Sequence, residues 1–87
     1  MITNQAPNEY KLVEAFDDGH GMEGQITSRQ VEGKPRYSFS VARRVRSRKA
    51  PGTFEKTYWF GMRHLPAIRQ MLDRIELWLL KREENAS

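Results

Sequence analysis

One change of period divides this chain of 87 residues. Before Gly61 the apolar residues tend to alternate with polar ones, the period of a strand whose side chains point to opposite faces. From Leu65 onward they recur at spacings of three and four. Leu65, Ile68, Leu72, Ile75 and Leu79 make one stripe of a helix. Pro66 falls in the first turn, where its missing N–H costs nothing, and Lys81 and Arg82 fall near the negative end of the helix dipole. Met71 and Trp78 widen the stripe. Leu77 and Leu80 add apolar surface beyond it.

Four alternating segments precede that helix. In "EYKLVEAF", Tyr10, Leu12 and Phe16 share one side and Val13 and Ala15 the other, with Lys11 and Glu14 interrupting the pattern. "DDGHG" reads as a turn, because Gly supplies positive φ and Asp tolerates it. "MEGQITSRQV" places Met22, Gly24, Ile26 and Ser28 on one face, and "EGKP" turns again. "RYSFSVARRV" alternates most clearly, with Tyr37, Phe39, Val41 and Val45 against Ser38, Ser40, Ala42 and Arg44. After the loop "RSRKAPG", the segment "TFEKTYWFGM" sets Phe54, Tyr58, Phe60 and Met62 against Thr53, Glu55, Thr57 and Trp59. The expected fold is α+β: a four-stranded antiparallel sheet followed by one C-terminal amphipathic helix, β-β-β-β-α. It occupies residues 9–82 as a single domain, with flexible ends at 1–8 and 83–87. A helix of about 16–18 residues is about 25 Å long, enough to lie across four strands. The chain, 38% hydrophobic, supports one modest core. The helix surplus is therefore expected to form a homodimer interface from Leu72, Ile75, Leu77, Trp78 and Leu80, the alternative being that it closes the edges of a small core.

The charge is unevenly placed. Residues 1–32 carry six acidic side chains against Lys11 and Arg29, whereas residues 33–87 carry 13 basic and 5 acidic ones, within a net charge of +4. A positive face of this kind attracts polyanions. Catalysis has little to build on. There is no cysteine, no nucleophile–base pair and no phosphate-cradling glycine motif before a helix. Asp17, Asp18 and His20 read as a turn rather than a metal site, and His64 as a helix-start or core-edge side chain. The chain is expected to be no enzyme, with no cofactor, metal or small-molecule substrate. No apolar run reaches the roughly 18 residues of a membrane span, and the opening residues lack the charged and apolar regions of a signal peptide. A cytoplasmic protein is expected.

With the helix on one face of the sheet, the other face would hold Arg36, Ser38, Ser40, Arg44, Thr57 and Trp59. Single-stranded nucleic acid suits such a face: cations track phosphates, an aromatic ring stacks on a base, and small hydroxyl side chains leave room for splayed bases. The hairpin cations Arg46, Arg48 and Lys49 would act as a clamp, joined by Arg43 and Lys56. Against this stand plainer readings: Trp59 as a packed rim residue, and the arginine cluster as a solvated hairpin tip that discourages edge-to-edge association. A second class of function is a protein-interaction or assembly module. Trp59, Leu77, Trp78 and Leu80 would then be anchors, and the basic loop would meet an acidic protein surface. Duplex readout fits less well, since the helix has no basic face for a major groove.

The stretch "RYSFSVARRVRSRKAPGTFEKTYWFGMRHLPAIRQMLDRIELWL" runs as strand, basic turn, strand and amphipathic helix. In this pattern it resembles the positive-cofactor-four (transcriptional coactivator) family and the Pur-alpha family of repeats. The resemblance implies a curved antiparallel sheet that binds single-stranded DNA or RNA, with helices packing where two units pair. Arg44, Trp59 and the turn cations would be the binding positions. The acidic first half departs from the more uniformly basic pattern of such proteins.

Overall fold

The computed structural model of the chain describes residues 9–86; the expected loose start, residues 1–8, lies outside them. Four strands, β1 (Lys11–Asp17), β2 (Met22–Val31), β3 (Lys34–Arg46) and β4 (Phe54–Thr57), form one antiparallel sheet in the order β1-β2-β3-β4. A single 3-10 turn, Met62–His64, leads into the helix α1 (Leu65–Ala86). The fold is the α+β arrangement that the change of period implies. At 22 residues α1 is longer than expected and does not stop at residue 82.

Local chemistry explains the turns. Between β1 and β2 the Asp17 carboxylate accepts the Gly19 N–H at 2.7 Å, and the Asp18 carboxylate accepts the N–H groups of His20 and Met22 at 2.7 and 3.0 Å. These side chains replace ladder bonds that the reversing backbone cannot make. Between β2 and β3, Val31 pairs with Lys34, and the two residues between them, Glu32 and Gly33, have φ of 54° and 78°. Two left-handed residues in a two-residue loop match the twist of the flanking strands. In β1 the register shifts between Leu12, opposite Thr27, and Glu14, opposite Ile26, leaving Val13 as an extra residue. The bulge puts Leu12 and Phe16 on opposite faces, which is why the alternation there is broken.

The helix is seated on β2. Met22, Ile26, Met71 and Ile75 form the buried centre, with Phe16, Val41, Phe60, Ala67, Ile68, Trp78 and Leu79 packed around it. Ala67 lies by Met22, Met71 and Ile75 lie over Gly24, and Trp78 meets Tyr37, the partner of Ser28, edge to face at 5.5 Å. The helix therefore runs along β2 rather than across all four strands as expected. Gly24 is the reason. Its missing side chain makes a notch that Met71 fills, and neighbouring positions would hold the helix off.

Residues directly opposite in an antiparallel pair share a face. Met22, Gly24 and Ile26 face the helix with their partners Arg43, Val41 and Phe39. Glu23, Gln25, Thr27 and Arg29 face away with Ala42, Ser40, Ser38 and Arg36. In β4, Phe54 lies opposite Arg46, Lys56 opposite Arg44, and Thr57 opposite Arg43. Phe54 and Lys56 are thus on the open face and Thr57 on the helix face, the reverse of the expected assignment. The strand ends after four residues, so Tyr58, Trp59 and Phe60 do not continue its alternation. Of the residues that alternation would turn toward the helix, Tyr37, Phe39, Phe54, Tyr58 and Met62 are exposed, and Val41 and Phe60 pack against the core.

A Cβ placed on Gly24 would sit 2.7 Å from Met71 Sδ and 3.2 Å from Ile75 Cδ1. Gly24→Val should therefore destabilise the fold by about 1–3 kcal/mol. Urea unfolding should show a lower midpoint with an unchanged slope; an unaltered midpoint would mean that the helix does not rest there.

Candidate nucleic-acid interface

The open face is polar, small in its centre and cationic at its ends. Gln25, Thr27, Ser38 and Ser40 occupy the middle, and Arg29 and Arg36 lie directly opposite each other toward the β2–β3 turn. Like charges in that position repel, and neither arginine has a carboxylate partner among the described residues. Arg29 stacks over the Tyr10 ring, 5.2 Å from its centre. At the other end of β3, Arg46 stands beside exposed Phe54. Arg36 and Arg46 are ten residues apart on one strand, about 33 Å.

Two of the expected binding cations are already engaged. Arg44 pairs with Asp17 at 3.0 Å and with Glu23 at 3.1 Å, and Lys56 pairs with Glu23 at 3.2 Å. This network joins β1, β2, β3 and β4 across the open face and is neutral in sum. Arg43 points the other way. It is half-buried on the helix face, where its Nη2 donates to the Trp59 carbonyl at 3.1 Å.

The β3–β4 turn is ordered by its own side chains. Ser47 Oγ accepts the N–H groups of Lys49 and Ala50, each at 3.1 Å, and Thr53 Oγ1 donates to the Ala50 carbonyl at 2.6 Å. Arg48 and Lys49 thus project from a fixed loop, exposed and without an ion pair among the described residues. Trp59 lies beyond the end of β4, 84% exposed. Its N–H donates to Thr57 Oγ1 and its carbonyl accepts from Arg43, so the backbone is held while the ring is free. The site residues that sequence reasoning missed are Arg29, Tyr10 and Phe54. The pairing of Arg29 with Arg36 follows from the two-residue loop at Glu32-Gly33, a signal present in "VEGK".

A second group of side chains gathers where the sheet meets the start of α1. His64 Nδ1 accepts the Gly61 N–H at 2.8 Å, and the His64 backbone N–H donates to the Gly61 carbonyl at 2.9 Å. The neutral ring therefore carries its proton on Nε2. Desolvation, then the neighbouring Arg43 and Arg63 guanidiniums, hold the His64 pKa below its ordinary 6.5. The folded state favours neutral His64, so this contribution to stability is present above pH 6.5 and is lost as pH falls through the depressed value. An NMR titration should place the His64 midpoint below 6.5, and Arg63→Gln should move it up by removing one repelling cation. A midpoint at or above 6.5 in the unaltered chain would contradict this geometry.

The residues expected at a dimer interface do not form one patch. Ile75 is buried against the sheet and belongs to the core. Trp78 is half-buried between Tyr37 and the Arg82 guanidinium, which lies 4.6 Å from its ring centre. Leu72 and Leu80 line a groove of about 360 Å³ on the β3 side of the helix, with Phe39, Leu79, Asp73 and Glu76. Leu77 lies on the β1 side, near Phe16 and Arg74.

Among the described residues no three His, Asp or Glu side chains gather as metal ligands, and no helix is long and apolar enough to cross a membrane. Fold and surface together define a small sheet-and-helix domain with one uncovered sheet face that is cationic at its ends. No family model matches the chain, and no curated protein or solved structure matches it.

Proposed function

We propose that this chain is a non-enzymatic binder of single-stranded DNA or RNA, with the open sheet face as its platform. The observation that carries the reading is the cross-strand pair Arg29 and Arg36, two cations facing each other with no carboxylate partner among the described residues, on a face whose centre is small and polar. A strand of phosphates running from this pair to Arg46, Arg48 and Lys49 would neutralise both ends. Phe54 and Trp59 would offer faces for bases. Arg44 and Lys56 would hold the platform together, since moving them to a phosphate means breaking their pairs with Asp17 and Glu23. The pattern-level resemblance to the positive-cofactor-four and Pur-alpha families points in the same direction.

Labelled single-stranded oligonucleotides should bind with a log–log salt slope of about −3.5, near 0.7 per phosphate for the five cations without an ion pair among the described residues. Arg36→Gln should make that slope shallower, and Trp59→Ala should weaken binding by about 1–3 kcal/mol if the ring stacks. Absence of binding at low salt would leave the protein-interaction module as the better reading.

The partner in this reading includes a second copy of the chain. Arg44 N–H donates to the Gly21 carbonyl, so even-numbered residues of β3 bond to β2. Tyr37, Phe39 and Val41 then direct their backbone groups outward, and β4 covers that edge only from Arg43 onward. The open edge borders the groove of Phe39, Leu72, Leu79 and Leu80. Two copies joined antiparallel about Phe39 would set Tyr37 against Val41, Ser38 against Ser40 and Arg36 against Ala42, with no like charges opposed over the free stretch of edge that ends where β4 begins at Arg43. Both helices would lie on one face and both open faces on the other, with the two apolar grooves meeting between the helices. Sedimentation at high micromolar concentration should report a dimer, and Phe39→Lys should give a folded monomer. A monomeric unaltered chain under those conditions would end the dimer proposal.

A further inference from the structure

We infer that the cavity between the β1–β2 turn, the end of β3 and the start of α1 is a binding site for a phosphate group. It encloses about 330 Å³, and Asp18, His20, Arg43, Arg44, Arg63 and His64 are among its walls. It opens on the helix side of β3, shares only Arg44 with the platform described above, and draws its cationic donors from β3 and the 3-10 turn. Its attribution to a nucleic-acid phosphate rests on the proposed function; its affinity for phosphate does not.

Charge is the first reason. Arg43 and Arg63 have no carboxylate partner among the described residues. The one carboxylate in the wall, Asp18, already accepts the backbone N–H groups of His20 and Met22. Arg44 is held by Asp17 and Glu23. Two guanidiniums with no carboxylate partner among the described residues lie beside a half-buried imidazole, and an anion between them relieves their repulsion.

Hydrogen bonding is the second. Arg43 Nη2 is satisfied by the Trp59 carbonyl and Nη1 is left for an anion, while Nε, closed off from solvent, has no partner at all. Such an orphan donor is uncommon in a folded chain. His64 adds an Nε2–H, because its Nδ1 is occupied by the Gly61 N–H. The positive end of α1, which begins at Leu65, adds to the field. Donors from a strand and a 3-10 turn, spread around one cavity, suit an anion with several oxygens rather than a flat carboxylate. The bond from Arg43 to the Trp59 carbonyl also fixes this site beside the Trp59 backbone. A nucleotide at the end of a strand would place its base on the ring and its phosphate in the cavity.

Three probes separate the possibilities: inorganic phosphate, an end-phosphorylated single strand, and the same strand without the end phosphate. Inorganic phosphate should shift the His64 ring resonances and raise the His64 titration midpoint. The end phosphate should tighten strand binding by about tenfold. Arg63→Gln, on an exposed side chain, should abolish both effects, whereas Arg69→Gln, an exposed helix arginine outside the cavity, should keep them. If phosphate moves His64 but the two strands bind equally, the site stands as one for free phosphate. If phosphate moves His64 and neither strand binds, the cavity stands and the strand-binding reading fails. If phosphate leaves His64 unmoved and both strands bind alike, the phosphate site is overturned while strand binding survives.

Discussion

The seating of Met71 and Ile75 over Gly24 is the contact on which the rest of this structure depends. A single helix must cover a four-stranded sheet, and it approaches most closely where a strand has no side chain. That notch lies on β2, so the helix follows β2. The buried centre is correspondingly narrow: Met22 and Ile26 below, Met71 and Ile75 above. Everything further out is covered only in part. Phe39, Leu72 and Leu80 border an open groove, and the outer edge of β3 has no strand beside it until Arg43.

Electrostatics then sorts the cations into those that build and those that remain available. The acidic first half of the chain is not a separate feature from the basic second half. Asp17 and Glu23, from the first two strands, meet Arg44 and Lys56, from the last two, on the open face. These pairs are partly exposed, so each contributes modestly to stability, but together they fix which arginines are free. Arg29, Arg36, Arg46, Arg48 and Lys49 surround the platform. Arg43 and Arg63 turn toward the helix start and converge on His64. The chain therefore presents two cationic regions on different sides of one small sheet, joined at Trp59.

Much of the fold was legible because its signals are local. The change from a period of two to one of three and four gave four strands and a helix. The turns at Asp18 and Gly33 followed from residues that accept unusual backbone angles. The faces of β2 and β3 followed from alternation, since register and pleat agree there over ten pairs. Where alternation failed as a guide, the cause was specific. Val13 is bulged, so Leu12 and Phe16 part company. β4 ends at Thr57, so Phe54 cannot be grouped with Tyr58 and Phe60 by counting in twos. The candidate site was legible in kind but not in membership, because a list of arginines does not say which of them will find a carboxylate.

The sequence by itself determined the order of elements, the four-strand meander and the amphipathic character of its one helix. Each of these is set by the spacing of side chains along a continuous backbone. Only the tertiary structure decided which strand carries the helix, that Ile75 is core and not interface, that Arg44 and Lys56 are tied to Glu23, and that Arg43 and Arg63 meet at His64. Those outcomes depend on contacts between residues far apart in the chain. A glycine notch, a bulge and a short final strand set those distances, and no local periodicity records them.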